Sequence, residues 1–214
     1  MTPTHISEFL HTLQIPTKVQ TVYLVGSRLW GTHTPKSDFD LLVVIRDSTK
    51  PFQKSQHRGH YDATILTESS FCEQVKEGAL IECLCCLISE EEDGVRLLND
   101  SSSQPCRSLV DLDKMRRWVA ERREKDMEKA SKFWAKGGSR EKGWKILQHA
   151  ISAESILRGL EKMVEGEKIG DVVLTKEMVQ RFVAGGQDED DRAWLGWDWG
   201  EVREAHAKRI QGPK

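Results

Sequence analysis

The chain has 214 residues, of which 38% are hydrophobic and 31% charged, with a formal net charge of −2. That length suits one large domain or two small ones, and that charge excludes a polycation that binds nucleic acid through its whole surface. No apolar run reaches the ~20 residues of a bilayer span, and residues 1–13 lack a basic start followed by a long apolar stretch, so neither a membrane anchor nor a secretory signal is expected.

Ile6, Phe9, Leu10 and Leu13 recur at helical spacing and predict a helix over 4–14, capped by Thr4 and stopped by Pro16. Residues 19–25 (VQTVYLV) are β-branched and apolar and read as a buried strand ending at Gly26-Ser27. A helical turn over 28–30 and a loop closing at Pro35 lead to a second strand, 39–45 (FDLLVVI). Residues 46–59 are polar, hold Pro51 and Gly59, and predict a loop. A third strand, 60–66, precedes a helix over 68–76 capped by Thr67 or Ser69. So short a connection favours antiparallel pairing of strands two and three. Residues 79–88 (ALIECLCCLI) fit strand or helix equally.

Residues 99–108 (NDSSSQPCRS) form a turn-rich linker and the best domain boundary. Beyond it the pattern becomes long helices, over 112–134 and 141–164, then a shorter one over 175–184. Residues 185–192 read as a solvated loop, with a tail helix at 201–210. Trp118, Trp134 and Trp144 fall on helices and are assigned to the core, and Trp194, Trp197 and Trp199 to tail packing. The halves differ in charge. Residues 1–108 carry 10 Lys+Arg against 14 Asp+Glu, residues 109–214 carry 22 against 20, and 114–145 alone carry 12 against 5. That local excess is the only candidate for a phosphate-facing surface, although charge alone favours a solvated helix face.

Five cysteines, an odd number with Cys83, Cys85 and Cys86 crowded into one apolar segment, argue against a disulfide framework and for a reducing, cytoplasmic setting. No second Cys pair follows at zinc-finger spacing, so the three read as small buried hydrophobes.

The chemistry concentrates in GSRLWGTHTPKSDFDLLVVI, residues 26–45. Asp38 and Asp40 stand two apart at the start of a strand and point to one face. Asp62 lies at a similar depth in the next strand, so neighbouring strands bring three carboxylates together. Such a cluster repels itself unless a cation neutralises it. Hard oxygen ligands suit Mg²⁺ or Mn²⁺, and two ions can clamp the attacking and leaving oxygens of an in-line displacement, while the third carboxylate helps activate the attacking hydroxyl. Gly26 allows close backbone approach, the helical turn behind it aims N–H groups at an anion, and Ser27 adds a hydroxyl. Arg28 and Lys36 flank the pocket and can neutralise triphosphate charge. Each element is common alone, and the combination is far more specific.

The combination resembles the nucleotidyltransferase superfamily that includes DNA polymerase beta. It is most similar to a stand-alone group with the pattern G-S-R-x-x-G-x-x-x-P-x-S-D-x-D-L, here Gly26, Ser27, Arg28, Gly31, Pro35, Ser37, Asp38, Asp40 and Leu41. Residues 61–83 resemble that group's third strand and following helix up to a glutamate, here Glu82, and 142–171 weakly resemble a later helix with Lys and His. The resemblance implies that Asp38 and Asp40 bind metal, that Asp62 completes the triad, and that Gly26 and Ser27 hold the triphosphate. Lys145 and His149 are secondary nucleotide-binding candidates on one helical face with Ser152. On a face bordering the apolar stripe His149 reads more readily as an interface histidine than as a ligand, and Ser152 stands where the group often has Arg.

The expected architecture is an α/β head with a small mixed sheet, residues 1–108, followed by a C-terminal helical bundle, 109–214. The expected activity is metal-dependent transfer of an NMP from an NTP to a hydroxyl-type acceptor with release of pyrophosphate. RNA ends, a protein side chain and a small molecule stay open as acceptors, and the basic 114–145 stretch tilts the choice toward nucleic acid. The alternatives are a non-catalytic nucleotide-binding module acting through protein interaction, as in toxin–antitoxin pairs, and a non-catalytic RNA-binding protein. The latter wants basic residues interleaved with exposed aromatics, which helical spacing of the tryptophans does not offer.

Overall fold

A computed structural model describes residues 3–13, 15, 18–46, 53–92, 94–99, 106–135, 140–164 and 168–185. The chain runs α1 (Pro3–Thr12), β1 (Val19–Val25), α2 (Gly26–Trp30), β2 (Phe39–Ile45), β3 (Gln53–Arg58), β4 (Tyr61–Thr67), α3 (Glu68–Glu77), α4 (Leu80–Leu87), β5 (Arg96–Asn99), α5 (Leu112–Ala135), α6 (Arg140–Met163) and α7 (Lys176–Gly185). This is the expected mixed α/β head followed by a helical region.

The five strands lie in the order β3-β4-β2-β1-β5. β1 is antiparallel to β2 and β5, β3 is antiparallel to β4, and β2 and β4 run parallel. The antiparallel expectation for the second and third strands is therefore wrong. Its cause is β3, which occupies residues read as loop: Gln53–Arg58 reverses the chain, and Gly59, at φ +59°, turns it back into β4. The reversal returns β4 parallel to β2, in the register Phe39↔Tyr61, Asp40↔Asp62 and onward to Ile45↔Thr67.

Alternation along β2 feeds two cores. Leu41, Val43 and Ile45 join Val22, Leu24, Ala63 and Ile65 on the face covered by Phe9 of α1 and Leu13 just after it. Leu42 and Val44 face the other way, with Tyr23, Val25 and Leu66, into a larger core that continues through α3 and α4 to Met115, Ile156 and Val179 of α5, α6 and α7. Each fully buried aliphatic side chain there contributes on the order of 1.5–3 kcal/mol. Backbone bonds reinforce this packing: Leu174 N–H donates to the Leu87 carbonyl and Ser89 N–H to the Leu174 carbonyl. Arg107 donates to the carbonyls of Gly170 and Val172.

The ambiguous segment at 79–88 is the helix α4, with Cys83, Cys85 and Cys86 buried as expected of small hydrophobes. α1 begins at Pro3, a residue suited to a first helical position, so Thr4 lies inside it and is no cap. Thr67 caps α3, its hydroxyl accepting from Ser70 N–H. Contrary to the expectation from the odd cysteine count, Cys72 of α3 and Cys106 are disulfide-bonded, with their Cα atoms 5.2 Å apart. Among the described residues no helix is long and apolar enough to cross a membrane. Trp194, Trp197, Trp199, the loop expected at 185–192 (beyond Gly185) and the tail helix lie outside the described residues, as do residues 100–105 of the linker.

Candidate active site

β1 passes directly into α2 at Gly26, whose φ of +63° is a left-handed value that favours glycine. The register Val25↔Asp40 places this turn against the start of β2. A Cβ at Gly26 would lie 2.2 Å from Asp40 Oδ2, so only glycine lets the backbone reach the carboxylate. The Ser27 backbone N–H donates to that carboxylate. The turn was expected to aim its amides at a bound anion; the Ser27 amide is already engaged by Asp40.

Asp40 and Asp62 are register partners on two parallel strands and share the face of Leu42 and Leu66. Had the strands been antiparallel, the two carboxylates would have stood at opposite ends of the sheet. Burial, first, and then the Asp62 charge push the Asp40 carboxyl above its ordinary value, and Asp38 adds to the rise. The Ser27 hydrogen bond and the Lys145 charge pull it back. Asp62 is exposed. Asp38, just before β2, is also exposed, and its Oδ1 lies 3.9 Å from His60 Nδ1.

Arg28 has a different task from the one expected. Its Nε donates to the Asp38 carbonyl at 3.2 Å and its Nη2 to the Ser37 carbonyl at 2.8 Å. Its guanidinium also lies over the Phe39 ring, 3.6 Å from the centroid. It therefore pins the loop that presents Asp38, a positioning role in place of a free phosphate contact. Ser37 tightens the same loop by accepting from Thr34 N–H at 2.9 Å. Lys36 is exposed on that loop.

Lys145 and His149 belong to α6. Lys145 lies within electrostatic reach of Asp40, which ties the helical region to the carboxylates. The His149 ring meets Trp30 edge-on, 5.4 Å between centroids. Crowding by its surroundings and the Lys145 charge lower its pKa, with Asp126 opposing, so its charged form is disfavoured. Ser152 is buried.

The chemistry of the donor set fits a hard divalent cation. Mg²⁺ commonly takes only one or two carboxylates and draws its other ligands from water and phosphate. The repulsion between Asp40 and Asp62 is what such a cation relieves. Among the described residues no three His, Cys, Asp or Glu side chains converge to hold a metal by themselves.

A cavity of about 620 Å³ opens between α2, α3 and α4 of the head and α5 and α6, with Trp30, Glu82 and His149 in its wall and none of Asp38, Asp40 and Asp62 lining it. Trp30 does not stand out in the sequence as a site residue, and Glu82 is marked there only as the glutamate that ends the resembling segment 61–83. Their convergence with α5 is made by packing, and no linear spacing announces it.

Residues 5–82, which contain Asp38, Asp40 and Asp62, match the family described as the nucleotidyltransferase domain. Among solved structures, a nucleotidyltransferase-like protein from Exiguobacterium sibiricum 255-15 is similar at 12% identity, over 85% of this chain and 72% of that one, with a TM-score of 0.32. No curated protein matches the chain.

Proposed function

We propose, given that residues 5–82 form a nucleotidyltransferase domain, that the protein transfers an NMP from an NTP to an acceptor hydroxyl with release of pyrophosphate and dependence on a divalent cation. The observation that carries this is the in-register pair Asp40–Asp62 with the Gly26-Ser27 turn packed directly on Asp40. Asp38, Asp40 and Asp62 would hold Mg²⁺ or Mn²⁺. Bound there, two such ions would neutralise charge on the triphosphate and lower the barrier to in-line displacement.

The chain's own residues supply the rest. Gly26 and the Ser27 hydroxyl position the triphosphate, Arg28 holds the Asp38 loop, and Lys145 offers positive charge from α6. The acceptor oxygen forms a bond to the α-phosphorus, the bond from that phosphorus to the bridging oxygen of pyrophosphate breaks, and the acceptor proton passes to the Asp62 carboxylate. Most of the acceleration comes from positioning and charge neutralisation.

The test is pyrophosphate release from each of the four NTPs with Mg²⁺ or Mn²⁺ and a mixed cellular extract as acceptor. Release by the wild type that Asp38→Asn/Asp40→Asn abolishes supports the reading. NTP binding without metal- and carboxylate-dependent release overturns it in favour of a regulatory nucleotide-binding module.

A further inference from the structure

We propose that the Cys72–Cys106 bond is a reversible thiol–disulfide site, opened at Cys72 by exchange with a low-molecular-weight thiol such as glutathione, and that its state sets how firmly the start of α5 is held on the head. The exchange uses none of Asp38, Asp40 and Asp62 and stands whether or not the chain transfers a nucleotide.

The two cysteines come from opposite sides of the junction. Cys72 lies on α3 of the head, and Cys106 opens the helical turn Arg107–Leu109 that leads into α5. Their Cα atoms, 5.2 Å apart, stand at an ordinary disulfide separation. The two sulfurs differ in access. Cys106 is 1% exposed, whereas Cys72 is half-buried at the rim of the core. Exchange requires a thiolate to reach one sulfur of the bond, and Cys72 is the one it meets. Cys83, Cys85 and Cys86 of α4 are each at most 1% exposed, so a dissolved thiol does not reach them in the folded chain and the exchange is confined to one pair.

Opening takes two displacements. A glutathione thiolate bonds to Cys72 Sγ as the bond to Cys106 Sγ breaks, and Cys106 leaves with the electron pair and takes a proton. A second glutathione thiolate bonds to the glutathione sulfur of this mixed disulfide, and Cys72 leaves in the same way. Two glutathione molecules are oxidised to one glutathione disulfide as the two cysteines are reduced, and closure is the reverse.

The opened chain stays folded, because other contacts hold the junction. Arg107 donates to the carbonyls of Gly170 and Val172, and Val110 and Met115 are buried in the core they share with α3 and α4. At the C-terminal end of α3, Lys114 Nζ donates to the Lys76 carbonyl at 2.8 Å, and Gly78 packs so closely on α5 that a Cβ there would run into the Lys114 backbone. The disulfide is a second tie further back along α3. Opening it leaves α3 and the start of α5 joined at one end only, and local opening of α5 becomes easier. The bond also closes a segment of 34 residues, which restricts the unfolded chain and raises the melting temperature.

The test equilibrates the full chain in glutathione mixtures from strongly reducing to oxidising, quenches with acid, alkylates the unfolded chain and maps residues 72 and 106 by peptide mass. The expected result is one transition in which both thiols disappear together, with a glutathione adduct on Cys72 at intermediate ratios and none on Cys106. The oxidised chain should melt about 10 °C above the reduced one. The reduced chain should still melt cooperatively, with amide hydrogen exchange about tenfold faster over residues 112–119. Cys72→Ser, at the half-buried position, should melt with the reduced wild type at every ratio; if it does not fold, the wild-type titration decides alone. Thiols at 72 and 106 that persist at the oxidising end, a bond that survives the reducing end, an adduct on Cys106, or equal exchange rates in the two states overturns the proposal.

Discussion

Replacing Gly26 by alanine probes the contact on which the site is built. Two costs arise. A non-glycine residue at φ +63° loses on the order of 1–2 kcal/mol. The new methyl would also sit 2.2, 2.7 and 2.9 Å from Oδ2, Cγ and Cβ of Asp40, so the carboxylate must move by about 1 Å or more. Gly31→Ala is the matched control. Its φ of +76° brings the same backbone cost, yet the nearest atoms to its Cβ would belong to the flexible Gln180 side chain, at 3.1 Å and beyond. Both variants should lose about 1–3 kcal/mol, a fall in melting temperature of ~3–8 °C for a chain of this size. Only Gly26→Ala should also lose turnover, by about 100-fold, because a displacement of that order at a reacting centre costs as much. Thermal melts paired with pyrophosphate-release kinetics read both. If Gly26→Ala is destabilised and still turns over within threefold of Gly31→Ala, the position of Asp40 does not govern the chemistry and the reasoning fails.

Other consequences follow from single contacts. Arg28→Ala removes two hydrogen bonds to loop carbonyls and should cost about 2 kcal/mol, with Arg28→Lys restoring little because one ammonium cannot reproduce the two-pronged geometry; denaturant unfolding measures both. Lys145→Ala removes a positive charge that acts on Asp40 and should raise KM for NTP about tenfold while leaving the melting temperature within ~2 °C. Glu82→Gln should raise the melting temperature at neutral pH. Its folded-state pKa is raised, so the folded chain holds its proton longer than the unfolded chain, and stability falls as pH climbs from the ordinary glutamate value through the folded one. The gap between variant and wild type should therefore close as pH is lowered through that window, and a pH-independent gap would contradict burial of the carboxyl as the cause.

How much of this is legible in sequence depends on whether a residue's role is local. The strand 19–25, the Gly26-Ser27 turn, Asp38 and Asp40 opening β2, and the long helices all carry local signals, and the structure places them where those signals point. β3 does not: Gln53–Arg58 (QKSQHR) has no apolar alternation, because an edge strand is held by its backbone pairing with β4. Without β3 the β2–β4 pairing looks antiparallel, and the reason Asp40 and Asp62 meet stays hidden. Arg28 reads as a phosphate ligand in a linear motif, yet its partners are carbonyls 9 and 10 residues away. The pairing of Cys72 with Cys106, 34 residues apart, is likewise set by the packing of α3 against the later chain, which an odd cysteine count does not reveal. The cavity is the extreme case, since α2, α3, α4, α5 and α6 each contribute and only α3 and α4 lie together in one segment, 61–83.

The central claim is that Asp40 and Asp62, opposed in register, hold divalent cations against a triphosphate. The most direct measurement is Mn²⁺ binding by electron paramagnetic resonance with a non-hydrolysable NTP analogue, for the wild type, Asp40→Asn and Asp62→Asn. The account predicts about two ions per chain that require the analogue, with loss of at least one in each variant. Mn²⁺ bound equally well by all three proteins, or no analogue-dependent Mn²⁺ in the wild type, would contradict it.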